Sequence, residues 1–315
     1  MAKPEIRIVG KDGLLRITPS HAGKRWLLFG VWTLLSLVLF AKPVFNLVRL
    51  AWQDETASHI LLIPFICAWL LYSERKESLP DRGFALRPAV AFLLPALFLA
   101  LFSANCASCS PKDRLSIYML SLLFLLVAGF VLILGVARAK ASSFALAFLL
   151  FAIPIPDVIL NKIIYWLQSG SATVAEIFFN LSGAPVLREG FFFRLPKMSI
   201  EVAQECSGIR SSLALVILAL LVAHFSFRPL WKKLVFVCAG LCMMLIKNGI
   251  RIATLTLLAN YVNPDFLYGR LHHQGGIVFF LIGLVLLLPV YWYLRKGEGD
   301  PAGVADQVVR GQAIS

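Results

Sequence analysis

Cysteine, arginine and histidine residues lie at the ends of three apolar segments of this chain. Cys206 is in "ECSGIRSS", Arg251 is in "KNGIRI", and His272 is the first histidine of "LHHQGG". A cysteine at the start of a helix is near the positive end of the helix dipole, which favours the nucleophilic thiolate. Histidine exchanges protons near neutral pH, and arginine keeps its charge and can stabilise an oxyanion. These three residue types suffice for acyl transfer through a thioester.

Each of these residues also has an ordinary alternative role. A membrane cysteine is more often a packing residue, and a histidine pair at a helix start is more often a polar end at the interface. Arg251 could extend along the helix to reach water. Arg210 lies deeper in its apolar segment, where a charge is costly unless it is paired or hydrated. Lys247 and Arg251 are four residues apart and would repel each other, so a shared anionic or water-filled site would explain both.

The composition is typical of a protein that crosses the membrane several times. Hydrophobic residues make up 59% of the chain and the mean hydropathy is +0.80, whereas soluble domains have roughly 45–50% apolar residues. The formal net charge of +13 does not predict nucleic-acid binding, because the basic residues lie between apolar segments. Apolar windows of ~20 residues predict an all-α polytopic fold with about eight transmembrane helices. They lie near residues 26–45, 59–73, 88–105, 115–136, 142–156, 205–224, 231–259 and 272–294.

Basic residues predict the orientation of these spans. More of the Lys and Arg residues lie in the tails and in alternate loops that would be inside if the N-terminus is cytoplasmic. This bias favours a cytoplasmic N-terminus and C-terminus. The predicted domains are an N-terminal tail (1–25), a transmembrane domain (26–296) and a C-terminal tail (297–315). Cys206, Arg251 and His272 would then lie at the outer membrane face.

The connection between the fifth and sixth spans, residues 157–204, is predicted to be an insertion on the outer face. Its first half has apolar residues at helical spacing, which indicates a helix at or partly within the membrane interface. Its second half contains two short strand-like stretches around "LPK", and residues 199–202 alternate polar and apolar side chains. A small β-hairpin that leads into Cys206 is therefore predicted.

The other cysteines give weaker signals. Cys106 and Cys109 have the spacing of a metal or redox pair, but no second C-x-x-C completes a zinc site. They could form a disulfide in an outer loop, although an incidental pair is the default interpretation. Cys67, Cys238 and Cys242 are interpreted as packing residues. No HExxH, GxSxG or P-loop motif is present, and neither a metal nor a cofactor is predicted.

The three motifs together resemble the signatures of the exosortase/archaeosortase family. "ECSGIRSS", "NGIRI" and "LHHQGG" occur in the order and spacing of that family. The upstream "WQDETASHILLIPFICAWLLYSERKE", the "PIP" at 154–156 and the lead-in "LPKMSIEVAQECSG" also fit, so the resemblance extends over about residues 50–295.

The resemblance implies a membrane cysteine transpeptidase or protease of the bacterial cytoplasmic membrane. Its substrates would be exported proteins with a C-terminal sorting tail, made of a Pro-Glu-Pro-like motif, one transmembrane helix and basic residues. Such tails are associated with exopolysaccharide production. The acceptor of the cleaved protein is unknown. Membrane lipid would surround the site, and no nucleic-acid partner is expected.

The resemblance also implies roles for particular residues. Cys206 matches the nucleophile, Arg251 the family's arginine and His272 its histidine, with His273 as the alternative. The supporting residues of the same motifs are Arg210, Ser207, Gly208 and Asn248.

Two other classes of function remain open at this point. One is a membrane acyltransferase that uses the same thiol with a lipid donor. The other is a transporter in which Arg210, Lys247 and Arg251 line a path for anions.

Overall fold

The structure is a computed structural model that describes residues 20–74, 84–267 and 276–296. Helices dominate this described part, which also contains one small antiparallel sheet. The chain divides into two compact units, Met1–Asp157 and Val158–Ser315. The all-α class predicted from the apolar windows is confirmed.

All the regular secondary structure in the described residues of the first unit is helical. In chain order its elements are α1 (Ser20–Leu39), α2 (Ala41–Gln53), a 3-10 helix (Glu55–Leu61), α3 (Ile63–Glu74), α4 (Leu86–Asn105), α5 (Pro111–Ala141), α6 (Ser143–Phe148) and a 3-10 helix (Leu149–Ala152).

The second unit combines helices with the sheet. Its elements are α7 (Asp157–Leu181), β1 (Leu187–Glu189), β2 (Phe192–Arg194), β3 (Ser199–Glu201), a 3-10 turn (Gln204–Ser207), α8 (Ile209–Ser226), α9 (Leu230–Tyr261), a 3-10 turn (Pro264–Leu267) and α10 (Gly276–Arg295).

The described residues contain six helical stretches that are long and apolar enough to cross a membrane. Two further pairs of helices are long and apolar enough only when each pair is taken together, and each pair is bent. They are α1 with α2 and α6 with α7, and the number of spans is eight if each pair counts as one span. This range agrees with the predicted number of about eight spans. The six single stretches are Thr56–Glu74, Leu86–Asn105, Pro111–Ala141, Ile209–Ser226, Leu230–Tyr261 and Ile277–Arg295.

The first predicted span, 26–45, is not one continuous helix. The chain bends by 80° between α1 and α2. Pro43 has no N–H group to donate to the carbonyl of Leu39, so the helical hydrogen-bond ladder is interrupted there. The resulting α2 is amphipathic, with Phe45 and Trp52 exposed and Ala51 buried.

Small residues and side-chain hydrogen bonds join the helices of the first unit. Ala89, Ala96 and Ser103 recur every seven residues along α4 and are buried, and small side chains let transmembrane helices approach closely. Ser103 Oγ donates to the Arg114 carbonyl at 3.0 Å, and Ser121 Oγ donates to the Ala96 carbonyl at 2.6 Å. These bonds fix α4 against α5.

The small sheet is antiparallel in the order β1-β2-β3. The hairpin predicted before Cys206 is confirmed as β2 paired with β3, where Phe193 lies opposite Ile200. The sequence did not predict β1, which pairs with the other edge of β2. Phe193 is fully buried, and its ring lies 5.1 Å from that of Phe179 on α7. The sheet therefore shares its core with α7.

Candidate active site

The turn that contains Cys206 is a single 3-10 turn, Gln204–Ser207. Gly208 follows it with φ of 70° and ψ of 21°, a left-handed conformation, and α8 begins at Ile209. The sequence predicted that Cys206 would lie within the first turn of the sixth span. Because a left-handed residue cannot continue a right-handed helix, the cysteine instead precedes the helix. The Cys206 side chain lies outside the described part of the structure.

Gly208 lies directly against the side chain of Asn248 on α9. A Cβ atom at position 208 would be 2.7 Å from Asn248 Oδ1. The left-handed φ is itself strained for residues that carry a Cβ. Both the conformation and the contact with Asn248 therefore favour glycine at this position.

Helix α7 supports this turn through two buried side-chain amides. Asn248 is 1% exposed, and its Nδ2 donates to Ser171 Oγ on α7 at 3.0 Å. Gln168, one helical turn before Ser171, donates from Nε2 to the carbonyl of Val202. Val202 is buried and directly follows β3. The segment that leads into Cys206 is thus connected to α7 at Val202 and, through Asn248, at Gly208.

Glycines bring α7 and α9 into close contact. A Cβ at Gly170 would be 2.9 Å from Leu245 Cδ2, and a Cβ at Gly249 would overlap Val174 and lie 3.1 Å from the Ala175 nitrogen. Gly249 is the glycine of "NGIRI". This glycine lets the helix that carries Asn248 and Arg251 approach the α7 backbone.

A second polar connection to the turn comes from Lys247. Lys247 is 2% exposed, and its Nζ donates to Ser211 Oγ in the first turn of α8. Ser211 Oγ in turn donates to the carbonyl of Gly208 at 3.1 Å. A charged group inside the second unit is therefore joined to the Cys206 turn by two successive hydrogen bonds.

The remaining predicted residues are placed as follows. Arg210 is exposed in the first turn of α8, and Arg251 is half-buried one helical turn after Lys247. His272 and His273 lie outside the described residues. Helices α8, α9 and α10 pack on one another. They carry or directly follow the three sequence motifs. Their shared apolar contacts include Leu215, Met244, Phe280 and Leu284.

Three buried polar side chains near these helices have no hydrogen-bond partner in the described part of the chain. They are Ser207, Ser212 and Asn260. Ser207 directly follows Cys206 and is 1% exposed. A buried hydroxyl of this kind is available to a group that enters the turn. Among the described residues, no group of three His, Cys, Asp or Glu side chains could hold a metal ion.

Gln168, Ser171 and Lys247 were missed as site residues by sequence reasoning. Gln168 and Ser171 are three residues apart and lie on one face of α7, and such a polar pair is the signal that would have identified them. Lys247 was noted as a charge that repels Arg251 and that could share a site with it or line an anion path, but not as a support of the Cys206 turn. Its partner Ser211 lies 36 residues earlier, and no local pattern indicates that contact.

The cysteines outside the motifs were interpreted as an incidental pair and three packing residues, and the structure agrees with only part of this interpretation. Cys106 and Cys109 form a disulfide, so the pair is not incidental. Cys67 is buried, as expected of a packing residue. Cys238 and Cys242 are exposed on α9 rather than packed inside the unit.

The fold and the turn define a multi-pass helical membrane protein with a cysteine held at the entrance of one helix. The model of the family described as Transmembrane exosortase (Exosortase_EpsH) matches residues 51–289, which is more than half of the chain. The chain belongs to this transmembrane exosortase family. No curated protein and no solved structure matches the chain.

Proposed function

We propose that this protein is a cysteine-dependent transpeptidase or peptidase that cleaves C-terminal sorting tails of exported proteins. The observation that carries the proposal is the constrained turn at Cys206. It ends in a left-handed glycine that rests on Asn248, and α7 holds the strand that precedes it. Catalytic groups on rigid supports lose little entropy when the substrate binds, and this fixed geometry suits a nucleophile.

The proposed reaction proceeds through a thioester. The Cys206 thiol gives its proton to the histidine, and the resulting thiolate attacks a backbone carbonyl of the tail, so that a C–S bond forms. Arg251 stabilises the negative charge that develops on the carbonyl oxygen. The C–N bond then breaks, and His272, or alternatively His273, gives its proton to the leaving amine. An acceptor amine, an acceptor hydroxyl or water then attacks the thioester, the C–S bond breaks, and the acceptor's proton passes through the histidine back to Cys206.

The proposed membrane arrangement follows the distribution of basic residues. Both termini would be cytoplasmic, residues 26–296 would form the transmembrane domain, and the turn at Cys206 would lie at the outer face of the bacterial cytoplasmic membrane. The substrate's tail helix would lie in the bilayer with its basic end inside. Its recognition motif would then reach the outer face, beside Cys206.

The test is co-expression with a reporter protein that carries a Pro-Glu-Pro-type C-terminal tail and an epitope after the tail. Wild type, Cys206→Ala and Cys238→Ala are compared by immunoblot for loss of the epitope. Cys238 is a matched control, because it is a free, exposed thiol on α9. We expect wild type and Cys238→Ala to cleave the tail, and Cys206→Ala to reduce the rate at least about 1,000-fold.

Equal cleavage by wild type and Cys206→Ala would overturn the proposed function. Mass spectrometry of the trapped Cys206 peptide decides between the two thiol chemistries. A peptide thioester supports the transpeptidase, whereas a lipid thioester indicates the acyltransferase alternative. Transport of an anion that survives Cys206→Ala would indicate the transporter.

A further inference from the structure

Lys247 is a buried cation whose position the proposed reaction does not explain. It lies within α9, one of the candidate membrane spans, and is 2% exposed. No carboxylate in the described part of the chain forms an ion pair with it. Ionisable groups inside membrane segments are costly, and they mark functional sites more often than structural ones.

The aliphatic part of Lys247 is packed where three helices meet. A Cβ at Gly283 of α10 would be 3.5 Å from Lys247 Cγ and 3.7 Å from Leu215 Cδ2 on α8. The side chain is therefore confined on its way from α9 toward the first turn of α8. This packing directs the ammonium group at Ser211 and disfavours other directions.

The ammonium group acts on the Cys206 turn through Ser211. Lys247 Nζ donates to Ser211 Oγ, and Ser211 Oγ donates to the Gly208 carbonyl at 3.1 Å. The same carbonyl accepts the first backbone bond of α8, from the Ser212 nitrogen at 2.9 Å. A hydroxyl that accepts a bond from a cation becomes a stronger donor. The carbonyl two residues after Cys206 is thus fixed by two donors, and one of them, the Ser211 hydroxyl, is polarised by the Lys247 ammonium group.

We propose that Lys247 is a positioning residue for the thiol chemistry: through Ser211 it holds the Gly208 carbonyl and thereby the orientation of the Cys206 turn. This inference rests on the proposed function of Cys206. It assigns Lys247 a role that does not require contact with the substrate, so the role is expressed in the rate of the chemical step rather than in substrate binding.

The experiment measures kcat and KM for cleavage of the tailed reporter by the full-length protein in liposomes. Lys247→Met keeps the aliphatic packing and removes the charge, Lys247→Arg keeps the charge, and Ser211→Ala removes the intermediate hydroxyl. We expect Lys247→Met and Ser211→Ala each to lower kcat about 10-fold or more, with KM nearly unchanged. Lys247→Arg is expected to restore most of kcat, which a purely structural role would not require.

The double variant Lys247→Met/Ser211→Ala tests whether the two residues act in series. We expect it to be no slower than the slower single variant, because either substitution already breaks the connection. Multiplying losses in the double variant, or a normal kcat in Lys247→Met, would overturn the inference. If Lys247→Met fails to fold in detergent, Ser211→Ala decides the question, because Ser211 is half-buried in a first helical turn.

Cys206→Ala separates this inference from the proposed function. If Cys206→Ala is inactive and Lys247→Met is fully active, only the role of Lys247 is wrong. If Cys206→Ala cleaves the reporter as fast as wild type, the proposed function is wrong and the role of Lys247 falls with it.

Discussion

Two features of the structure favour glycine at position 208: the left-handed backbone conformation and the close contact with Asn248. Gly208→Ala would force a Cβ into the left-handed region and place it 2.7 Å from Asn248 Oδ1. We expect this variant to lose about 1–3 kcal/mol of stability and most of its cleavage activity, because either the turn or the buried Asn248 side chain must shift. Thermal unfolding in detergent and reporter cleavage measure the two effects.

Gly190 provides the matched control for Gly208. It also has a left-handed φ, of 63°, but a Cβ there would meet nothing within 4 Å. Gly190→Ala should therefore show the cost of the backbone conformation alone, and cleavage should continue. If both variants lost the same stability and the same cleavage activity, the contact between Gly208 and Asn248 would not contribute to function.

Gln168 carries a second residue-level prediction. Gln168→Met removes the donor to the buried Val202 carbonyl and keeps the side-chain volume nearly constant. We expect a loss of about 1–3 kcal/mol, because a buried carbonyl is left without its partner. The unfolding temperature in detergent measures this loss. Gln53→Met, at an exposed position on α2, is the control and should unfold like wild type.

Among the elements, α7 has contacts that its prediction did not include. The apolar spacing correctly predicted a helix in this segment, which was interpreted as lying at or partly within the membrane interface. In the structure it supports the Cys206 turn through Gln168 and Ser171. Those contacts connect residues 34 and 77 positions apart in the chain. The periodicity of a segment shows which of its residues are apolar. It does not show which distant residues they contact, because those contacts depend on how the helices pack.

Arg188 of β1 adds polar contacts between the sheet and α7 to their shared apolar core. Its Nη1 donates to Glu176 Oε2 at 2.8 Å and to Thr173 Oγ1 at 3.1 Å. We expect Arg188→Met to lower stability by about 1 kcal/mol, because both partners are partly exposed and the pair is partly screened. Limited proteolysis between α7 and α8 should also become faster.

Arg194 is the control for this prediction. It pairs with Glu189 inside the sheet at 2.8 Å, and both side chains are exposed. Arg194→Met should change stability by less than about 0.5 kcal/mol, because exposed ion pairs contribute little. An equal effect of the two substitutions would mean that Arg188 does not tie the sheet to α7.

For the whole molecule, hydropathy predicted the class and the number of spans but not their continuity. Long apolar stretches such as α5 and α9 follow directly from composition. The break at Pro43 could be inferred in principle, since proline interrupts the hydrogen-bond ladder. The disulfide could not be assigned from spacing alone, because two cysteines three residues apart fit several roles. The sequence predicted a functional site at Cys206. It did not predict the left-handed conformation of Gly208, because that residue packs against Asn248 on α9, far away in the chain.

The disulfide bears on the proposed orientation of the molecule. With a cytoplasmic N-terminus, the third predicted span crosses from inside to outside, so the loop between α4 and α5 would be external. Disulfides persist in oxidising compartments and are rare in the bacterial cytosol. The Cys106–Cys109 bond in this loop therefore supports the orientation derived from the basic residues.

A membrane-impermeant maleimide applied to intact spheroplasts tests that orientation in a Cys206→Ala background. We expect no labelling of the α4–α5 loop until a dithiol reductant opens the disulfide, and then labelling of Cys106 and Cys109. Cys109→Ser leaves Cys106 as a free thiol, which should react without reductant. Labelling that requires permeabilised membranes would place this loop in the cytosol. The reversed orientation would put the turn at Cys206 on the cytoplasmic face, where it could not meet the exported part of a substrate.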